Sequence, residues 1–490
     1  MSGGWEMVVG LEVHTELATT TKLFCGCRNA FGDKPNVNIC PTCIGMPGAL
    51  PVLNEQAVEL AMRIGQALHS EIRPSVFARK NYFYPDQAKD YQISQYDLPL
   101  NTGGWLELPD GFRVGVTRAH VEEDTGKLTH VGGSGRINAA RHALVDYNRS
   151  GVPLVEIVSE PDIRSSAHAK AYAEELRGIL VATGASDGRM EEGSMRVDAN
   201  VSVRPKGSNE FGTRCEIKNL NSLRSLQRAI DFEAARQIAI LESGGEVVQE
   251  TRHWDESAGR TEAMRSKEEA NDYRYFPEPD LVPLAPDAAW VDRVRTSLGP
   301  MPADRRDRLA EVLGGTPSDA ESDQIRAVVG LGLDGLVTAA TDAGVPAALA
   351  VARAANEVAA QSEAGQHLEP EAFAALLAME SQGQLSATQS KAVLGALLER
   401  GGGDPAAVAR EMGFEALGAD ALGAVLDEVQ AAYPEEWGRF AGGDDKLMGF
   451  FTGKVMQATS GRANGKEVAA ELRRRRGQTA VNYFDLKKSV

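Results

Sequence analysis

The chain has 490 residues, of which 42% are apolar, enough for two or three cored domains. A formal net charge of −17 excludes a surface that attracts nucleic acid everywhere, leaving only local basic patches for that role. No apolar run approaches the roughly 18 residues of a membrane span, and no basic stretch leads an apolar one at the start; the expectation is a cytoplasmic protein with reduced thiols.

Met7 to Glu16 alternates: Val9, Leu11 and Val13 share one face of a predicted strand, and Glu12, His14 and Glu16 share the other. Asn54 caps a predicted helix that runs to His69, with Ala57, Leu60, Ala61, Ile64 and Leu68 as its apolar stripe. Helices are predicted over 168–180 and 222–243. Between them Arg196 to Arg204 alternates again, with Val197, Ala199, Val201 and Val203 opposite Arg196, Asp198, Asn200, Ser202 and Arg204. Arg214, Glu216 and Lys218 share a face of the next strand, opposite Cys215 and Ile217. The front of the chain therefore reads as α+β on a mostly antiparallel sheet.

From about residue 290 the composition turns Ala- and Leu-rich with helical spacing. One helix carries Val393, Leu394, Leu397 and Leu398 and ends at Gly401-Gly402-Gly403; Asp404-Pro405 starts the next as N-cap and first helical residue. The expected division is a catalytic domain over 1–290, a helical linker over 291–350 and a helical tail over 351–490. The stretch from Lys446 to Val490 holds ten Lys or Arg against three Asp or Glu, so the acidic average hides a basic end.

Two features carry chemistry. Cys25-x-Cys27 and Cys40-x-x-Cys43 bring two close thiol pairs together, as a structural zinc knuckle requires, with Pro41 and Gly45 suited to the tight turn. Such a site contributes ~10–16 kcal/mol in small modules; free thiols are the other reading, since the first pair has only one intervening residue. Cys215 reads as a packing residue. Several strands also repeat a polar face backed by an apolar one: Glu12/His14, Glu122-Glu123-Asp124, Glu156, Asp198/Asn200 and Glu216/Lys218. Paired in one sheet, these faces form one surface where Mg²⁺ balances the carboxylates and Arg196, Lys218 and Lys80 hold phosphates. A solvated, salt-bridged sheet face is the alternative. Glu122 and Glu123 must point opposite ways, and the alternation leaves open which of them faces inward. No Walker A, G-x-G-x-x-G or G-x-S-x-G motif occurs.

Eight longer segments, in order, resemble one family. They are G-L-E-V-H-T-E-L (10–17), C-P-T-C-I-G-M-P-G (40–48), R-K-N-Y-F-Y-P-D (79–86), H-V-E-E-D-T-G-K (120–127), D-Y-N-R-S-G-V-P-L-V-E-I (146–157), G-S-M-R-V-D-A-N-V-S-V (193–203), E-I-K-N-L-N-S (216–222) and M-R-S-K-E-E-A-N-D-Y-R-Y-F-P-E-P-D-L (264–281). On these the chain resembles the B subunit of the GatCAB tRNA-dependent amidotransferases, the GatB/GatE family. The likeness continues more loosely to F-F-T-G-K-V-M-Q-A-T-S-G-R-A-N (450–464).

The resemblance implies a glutamine-hydrolysing carbon–nitrogen ligase assembled with an amidase A subunit and a small C subunit, without DNA or membrane partners. ATP would activate the side-chain carboxylate of Glu-tRNA(Gln) or Asp-tRNA(Asn), and ammonia from the amidase would displace phosphate. The cofactors implied are ATP, Mg²⁺ and a structural Zn²⁺. Glu12, His14, Glu123, Asp198 and Glu216 are the implied metal set, and Glu12, His14, Glu123 and Lys218 the implied catalytic set. Lys80, Tyr82, Ser194, Arg196, Asn200 and Arg274 are candidates for the ATP or aminoacyl end, with Tyr84 beside Tyr82 for base stacking. Tyr273, Tyr275 and Phe276 read as packing residues. The implied catalytic cradle leads to a tail in which Lys454, Arg462, Lys466 and Arg473, Arg474, Arg475 and Arg476 are candidates for tRNA phosphates. A solvated helix end is the other reading of the arginine run. Two rival functions are a noncatalytic tRNA-binding scaffold and an ATP-dependent ligase for a small carboxylate.

Overall fold

The computed structural model describes residues 4–132, 141–266, 273–315, 322–361, 365, 367–414, 419–459, 463, 465 and 467–476. It forms two compact units, Met1–Ala303 and Asp304–Val490.

The first unit is built on strands β1 (Trp5–Glu16), β2 (Glu71–Ile72), β3 (Val76–Asn81), β4 (Tyr91–Leu98), β5 (Asn101–Thr102), β6 (Trp105–Glu107) and β7 (Arg113–Glu123). The hairpin β8 (Lys127–Val131) and β9 (His142–Asp146) follows, then β10 (Pro153–Ser159), β11 (Met195–Pro205), β12 (Cys215–Leu220), β13 (Glu250–Asp255), β14 (Arg260–Ser266) and β15 (Phe276–Pro277). All but the β8–β9 hairpin join one sheet, whose main path runs β14-β13-β12-β11-β1-β10-β7-β4-β3-β15; β5 and β6 pair beside it with β7, and β2 pairs with β5. Its pairs are antiparallel except β12 with β13. The α+β reading with a mostly antiparallel sheet thus describes this unit.

Alternation decides the two faces. Val9, Leu11 and Val13, with Ala119, Val121, Val155, Ile157, Val197, Ala199 and Val201, are buried on one side. They share a single core with helices α1 (Glu55–Ala67), α2 (Ser166–Ala182) and α3 (Leu223–Glu242). Each helix starts where a side chain relieves the exposed N–H groups: Asn54, Ser165 and Ser222 accept from Gln56, His168 and Ser225. Covering one face with helices leaves the even-numbered residues of β1, β10 and β11, and those of β7 from Arg118 on, on the uncovered face; Val114 and Val116, before the register shift opposite Val158 and Ser159, sit in the core.

The second unit is helical. Residues between Leu309 and Ala409 share one apolar cluster, and those between Leu422 and Leu472 share another. The helix Ala387–Arg400 ends at Gly401, whose φ of 73° is the left-handed cap that glycine adopts without strain. Asp404 caps the helix Pro405–Glu411 by accepting from Ala406 and Ala407.

Candidate functional site

β1 runs between β10 and β11, and its register aligns the polar side chains. His14 faces Arg196 on β11 and Glu156 on β10, and Glu156 faces His120 on β7. Glu12 faces Asp198 one step along, and Asn200 faces Glu216 on β12. Because side chains alternate with period two, this register puts Glu122, His120 and Arg118 on the same face as His14.

The rows converge on one cluster. His14 Nε2 lies 3.5 Å from Glu156 Oε2 and 3.8 Å from Glu122 Oε1. His120 Nε2 lies 3.5 Å from Glu156 Oε2 and 3.7 Å from Glu122 Oε2. His14, Glu122 and Glu156 each offer a ligand atom, all within 4.8 Å of one another. The ring of His120 is fully buried, and neither of its nitrogens has a hydrogen-bond partner among the described residues. Burial works against a charged His14, but Glu156 and then Glu122 outweigh it and push the imidazole up to about 9. Burial likewise works against charge on Glu122 and Glu156, yet the two histidines hold both carboxyls below the usual range. These nitrogens and oxygens stand farther apart than direct hydrogen bonds and close enough to share a cation.

Beside the cluster, Lys218 Nζ donates to Asp198 Oδ2 at 2.8 Å and lies 3.4 Å from Glu216 Oε1. The lysine faces them by plain alternation, since Asn200 lies opposite Glu216 and Ala199 opposite Ile217; the break in register, at Asn219 with its left-handed φ of 67°, comes only after it. Burial disfavours the ammonium, but Asp198 and Glu216 hold it well above the ordinary lysine range. Glu216 also accepts from Thr251 Oγ1 at 2.9 Å, and Glu12 accepts from Asn200 Nδ2 at 2.9 Å. Arg196 pairs with Asp124 through Nη2 and lies 3.5 Å from Glu16; Arg149 reaches Asp124 at 3.2 Å.

Two cavities open on this face and share His14, Lys80, Glu122, Lys218 and Tyr273. One, of about 810 Å³, is walled by Arg196, Arg149, Asp198 and the 190–193 turn. The other, of about 590 Å³, is walled by Glu12, Glu156, Arg118, Arg214, Tyr96 and Tyr275. Aromatic rings floor the second: Tyr96 stacks on Tyr275 at 5.0 Å, with the Arg118 guanidinium 4.7 Å over Tyr96.

Sequence-predicted residues divide accordingly. Glu12, His14, Asp198, Glu216, Lys218, Arg196, Asn200, Lys80 and Tyr82 gather on this face. Tyr82 stacks on Tyr84 at 4.9 Å, and Lys80 lies 4.6 Å over the Tyr273 ring. Glu123 does not join them: as the odd neighbour of Glu122 it points away, is 1% exposed and pairs with Lys89. Ser194 serves its own turn, donating to Asp187 and accepting from the N–H of Arg189 at 3.0 Å. Arg274 is exposed, has a left-handed φ of 47° and lines neither cavity. Tyr273 and Tyr275, read as packing residues, line cavity walls instead. Arg118 and His120 have no assigned role on sequence alone, and Glu122 stands there only as one of an undecided pair with Glu123; the alternation of the three along one strand becomes a usable signal once one of them is placed.

The four cysteine sulfurs Cys25, Cys27, Cys40 and Cys43 also lie within 4.8 Å of one another. The Cys25 thiol donates to Cys43, drawing Cys43 down to about 5 while Cys25 rises. Four thiols so close, sharing charge in this way, fit a closed tetrahedral metal site.

In the second unit Arg474 pairs with Glu471, Arg475 with Asp427 and Glu471, and Arg476 with Asp445. Arg473 is exposed, and Lys454 lies 5.0 Å over the Tyr433 ring. Arg462 and Lys466 fall outside the described residues. The arginine run is thus largely neutralised by its own unit.

The chain is similar to known proteins over most of its length. Residues 7–292 match the GatB/GatE catalytic domain and residues 336–475 match the GatB domain. The chain is 49% identical over 480 residues to the B subunit of the aspartyl/glutamyl-tRNA(Asn/Gln) amidotransferase of Gloeobacter violaceus, covering 95% of this chain and 85% of that protein. It is 49% identical to the protein of the same name from Moorella thermoacetica, covering 94% and 97%, and 48% identical to that of Frankia casuarinae, covering 96% of each.

Proposed function

Since this chain belongs to the GatB/GatE family, we propose that it is the B subunit of an aspartyl/glutamyl-tRNA amidotransferase, which amidates the side-chain carboxylate of a misacylated tRNA. The observation that carries the reading is the meeting of His14, Glu122, Glu156, Lys218 and Arg196 on one open sheet face inside the matched catalytic domain.

The chemistry asked of that face is activation followed by amidation. A carboxylate oxygen of the aminoacyl group attacks the γ-phosphorus of ATP; the bond to ADP breaks and an acyl phosphate forms. Ammonia then attacks the carbonyl carbon, the amide C–N bond forms, and phosphate leaves with the C–O electron pair. A proton from the attacking nitrogen passes to a carboxylate of the face. Mg²⁺, held by His14, Glu122 and Glu156, supplies charge that offsets the triphosphate when bound. Lys218 and Arg196 add fixed positive charge, which phosphoryl transfer needs around its equatorial oxygens. Lys80, at the junction of the two cavities, is suited to the phosphate passing between ATP and the aminoacyl end. The four cysteines hold a structural Zn²⁺ that closes the 25–43 segment. Partner subunits, an amidase and a small third chain, supply ammonia, and the helical second unit contacts the tRNA body.

The test is phosphate release from γ-labelled ATP by the assembled enzyme with Mg²⁺ and either Glu-tRNA(Gln), Asp-tRNA(Asn), uncharged tRNA or free glutamate. Release with a charged tRNA alone supports the proposal. Release with free glutamate overturns it in favour of a small-carboxylate ligase, and no release with any of the four overturns a catalytic role.

A further inference from the structure

Glu123 is buried on the wrong side of β7 to meet the cation-binding cluster, yet it is charged and paired. Its partner Lys89 is also buried; the two side chains are 2% and 6% exposed. Removing two ions from water costs several kcal/mol each, and an apolar pair of the same volume is often as stable, so stability alone does not explain the pair. Its surroundings do.

The Lys89 stem runs directly beneath the cysteine knuckle. Gly45, in the turn that follows Cys43, has a φ of 70°, and a Cβ there would collide with Lys89 Cγ. The turn therefore closes on the lysine with no atom between them. Gly151 makes the second contact: a Cβ there would lie 3.5 Å from Cys43 Cβ and 3.8 Å from Glu123 Oε2. Ser150 Oγ donates to the Cys43 carbonyl at 3.1 Å, and the N–H of Gly151 donates to Asp124 O at 2.9 Å. A cavity of about 50 Å³ is bounded by Cys25, Cys43, Gly45, Lys89, Glu123 and Gly151 together.

At its other end the pair ties the end of β7, the strand that carries Glu122, to β4. Glu123 Oε1 accepts from the N–H of Ile93 at 2.9 Å, and Gln92 Nε2 donates to the Glu123 carbonyl at 2.7 Å. Glu122 is the preceding residue, opposite Ser94 in register. Consecutive Cα atoms are a rigid ~3.8 Å apart, so a shift at Glu123 is passed to Glu122. A metal site is defined by ligand distances within about 0.2 Å of their standard values.

We propose that Lys89 and Glu123 form a strut through which the metal-loaded cysteine knuckle sets the position of Glu122, making both positioning residues for the cation site. The proposal rests on the reading that His14, Glu122 and Glu156 hold the divalent ion. Loss of the knuckle metal frees the 40–45 turn, unseats Lys89 and loosens the end of β7. The knuckle then controls the cation cluster although none of its cysteines touches it.

The experiment is a double-mutant cycle on the assembled enzyme, with Mn²⁺ affinity read by electron paramagnetic resonance and zinc content measured per chain. Lys89→Met keeps the stem and removes the charge; Cys27→Ser opens the knuckle. Each single change is expected to weaken Mn²⁺ binding about 10-fold, as supporting residues around metal ligands do. The double variant is expected to be no weaker than the worse single. Lys89→Arg should recover most of the affinity, and Lys89→Met should keep its zinc. Should Lys89→Met prove poorly folded, Glu123→Gln supplies the same test from the other partner. Unchanged Mn²⁺ affinity in Lys89→Met, or losses that multiply in the double variant, overturn the strut. Glu156→Gln separates the two failures: if it too leaves Mn²⁺ affinity unchanged, the cation reading falls and the strut with it, whereas a loss there alone refutes only the strut.

Discussion

Lys218 is the side chain whose removal reports most directly on the proposed chemistry. Its ammonium lies 2.8 Å from Asp198 and 3.4 Å from Glu216. At an effective dielectric of about 20, each contact carries roughly 5–6 kcal/mol of raw attraction. Most of that is offset by desolvation, and the lysine side chain is 41% exposed, so solvent screens part of the rest. Breaking a fully buried pair costs about 3–5 kcal/mol; for Lys218→Met we expect roughly half, about 2 kcal/mol, in the stability of the first unit. The catalytic loss should be larger. A fixed charge aimed at the transferring phosphoryl group is worth about 10²–10³-fold in kcat. The assay is amide formation on Glu-tRNA(Gln) with ATP and ammonium chloride, which bypasses the glutaminase partner, alongside urea unfolding. Lys218→Arg should keep the stability and part of the rate. A Lys218→Met enzyme that is destabilised by about 2 kcal/mol but amidates within about threefold of the parent would refute the reasoning, because it would reduce Lys218 to a structural counter-ion.

Three further outcomes are expected. Glu156→Gln should weaken Mn²⁺ binding by about 10–100-fold in calorimetric titration, since it removes one of three converging ligands and leaves His14 and His120 facing a neutral amide. Leu397→Ala, at a fully buried position in the Leu309–Ala409 cluster, should destabilise the second unit by about 2–5 kcal/mol in denaturant unfolding, without changing Mn²⁺ affinity. Glu471 accepts from Arg474 at 2.7 and 2.6 Å and from Arg475 at 3.1 Å, which holds its carboxyl down at about 2. A depressed carboxyl stabilises the fold above its ordinary value of about 4.3 and loses that contribution as pH falls towards 2. Glu471→Gln should therefore flatten the acid limb of the second unit's unfolding curve, by less than about 1 kcal/mol because Arg474, which makes the two shorter bonds, is largely exposed.

Local pattern by itself determined β1, β11 and β12, several of the helices, and the two faces of those strands. Val9, Leu11 and Val13 against Glu12 and His14 is a one-strand statement, and so is Arg196, Asp198 and Asn200 against Val197, Ala199 and Val201, because side chains alternate along any strand. Helix starts at Asn54, Ser222 and Asp404 were equally readable, since a cap acts within its own turn. The ordered motifs carried the family and with it the expected activity. Only the tertiary structure decided which strands are neighbours and in what register. Glu122, Glu156 and His120 meet His14 because β10 lies between β1 and β7, and β1 and β10 are more than a hundred residues apart in the chain. The same register sends Glu123 to Lys89 and the knuckle, a choice that the adjacent acidic pair left undecided. Charge in the arginine run was likewise not readable from composition, because Asp427 and Asp445, which neutralise Arg475 and Arg476, come from other helices and loops. Alternation is a property of a single strand, whereas a site is a property of which rows of side chains the sheet lays side by side.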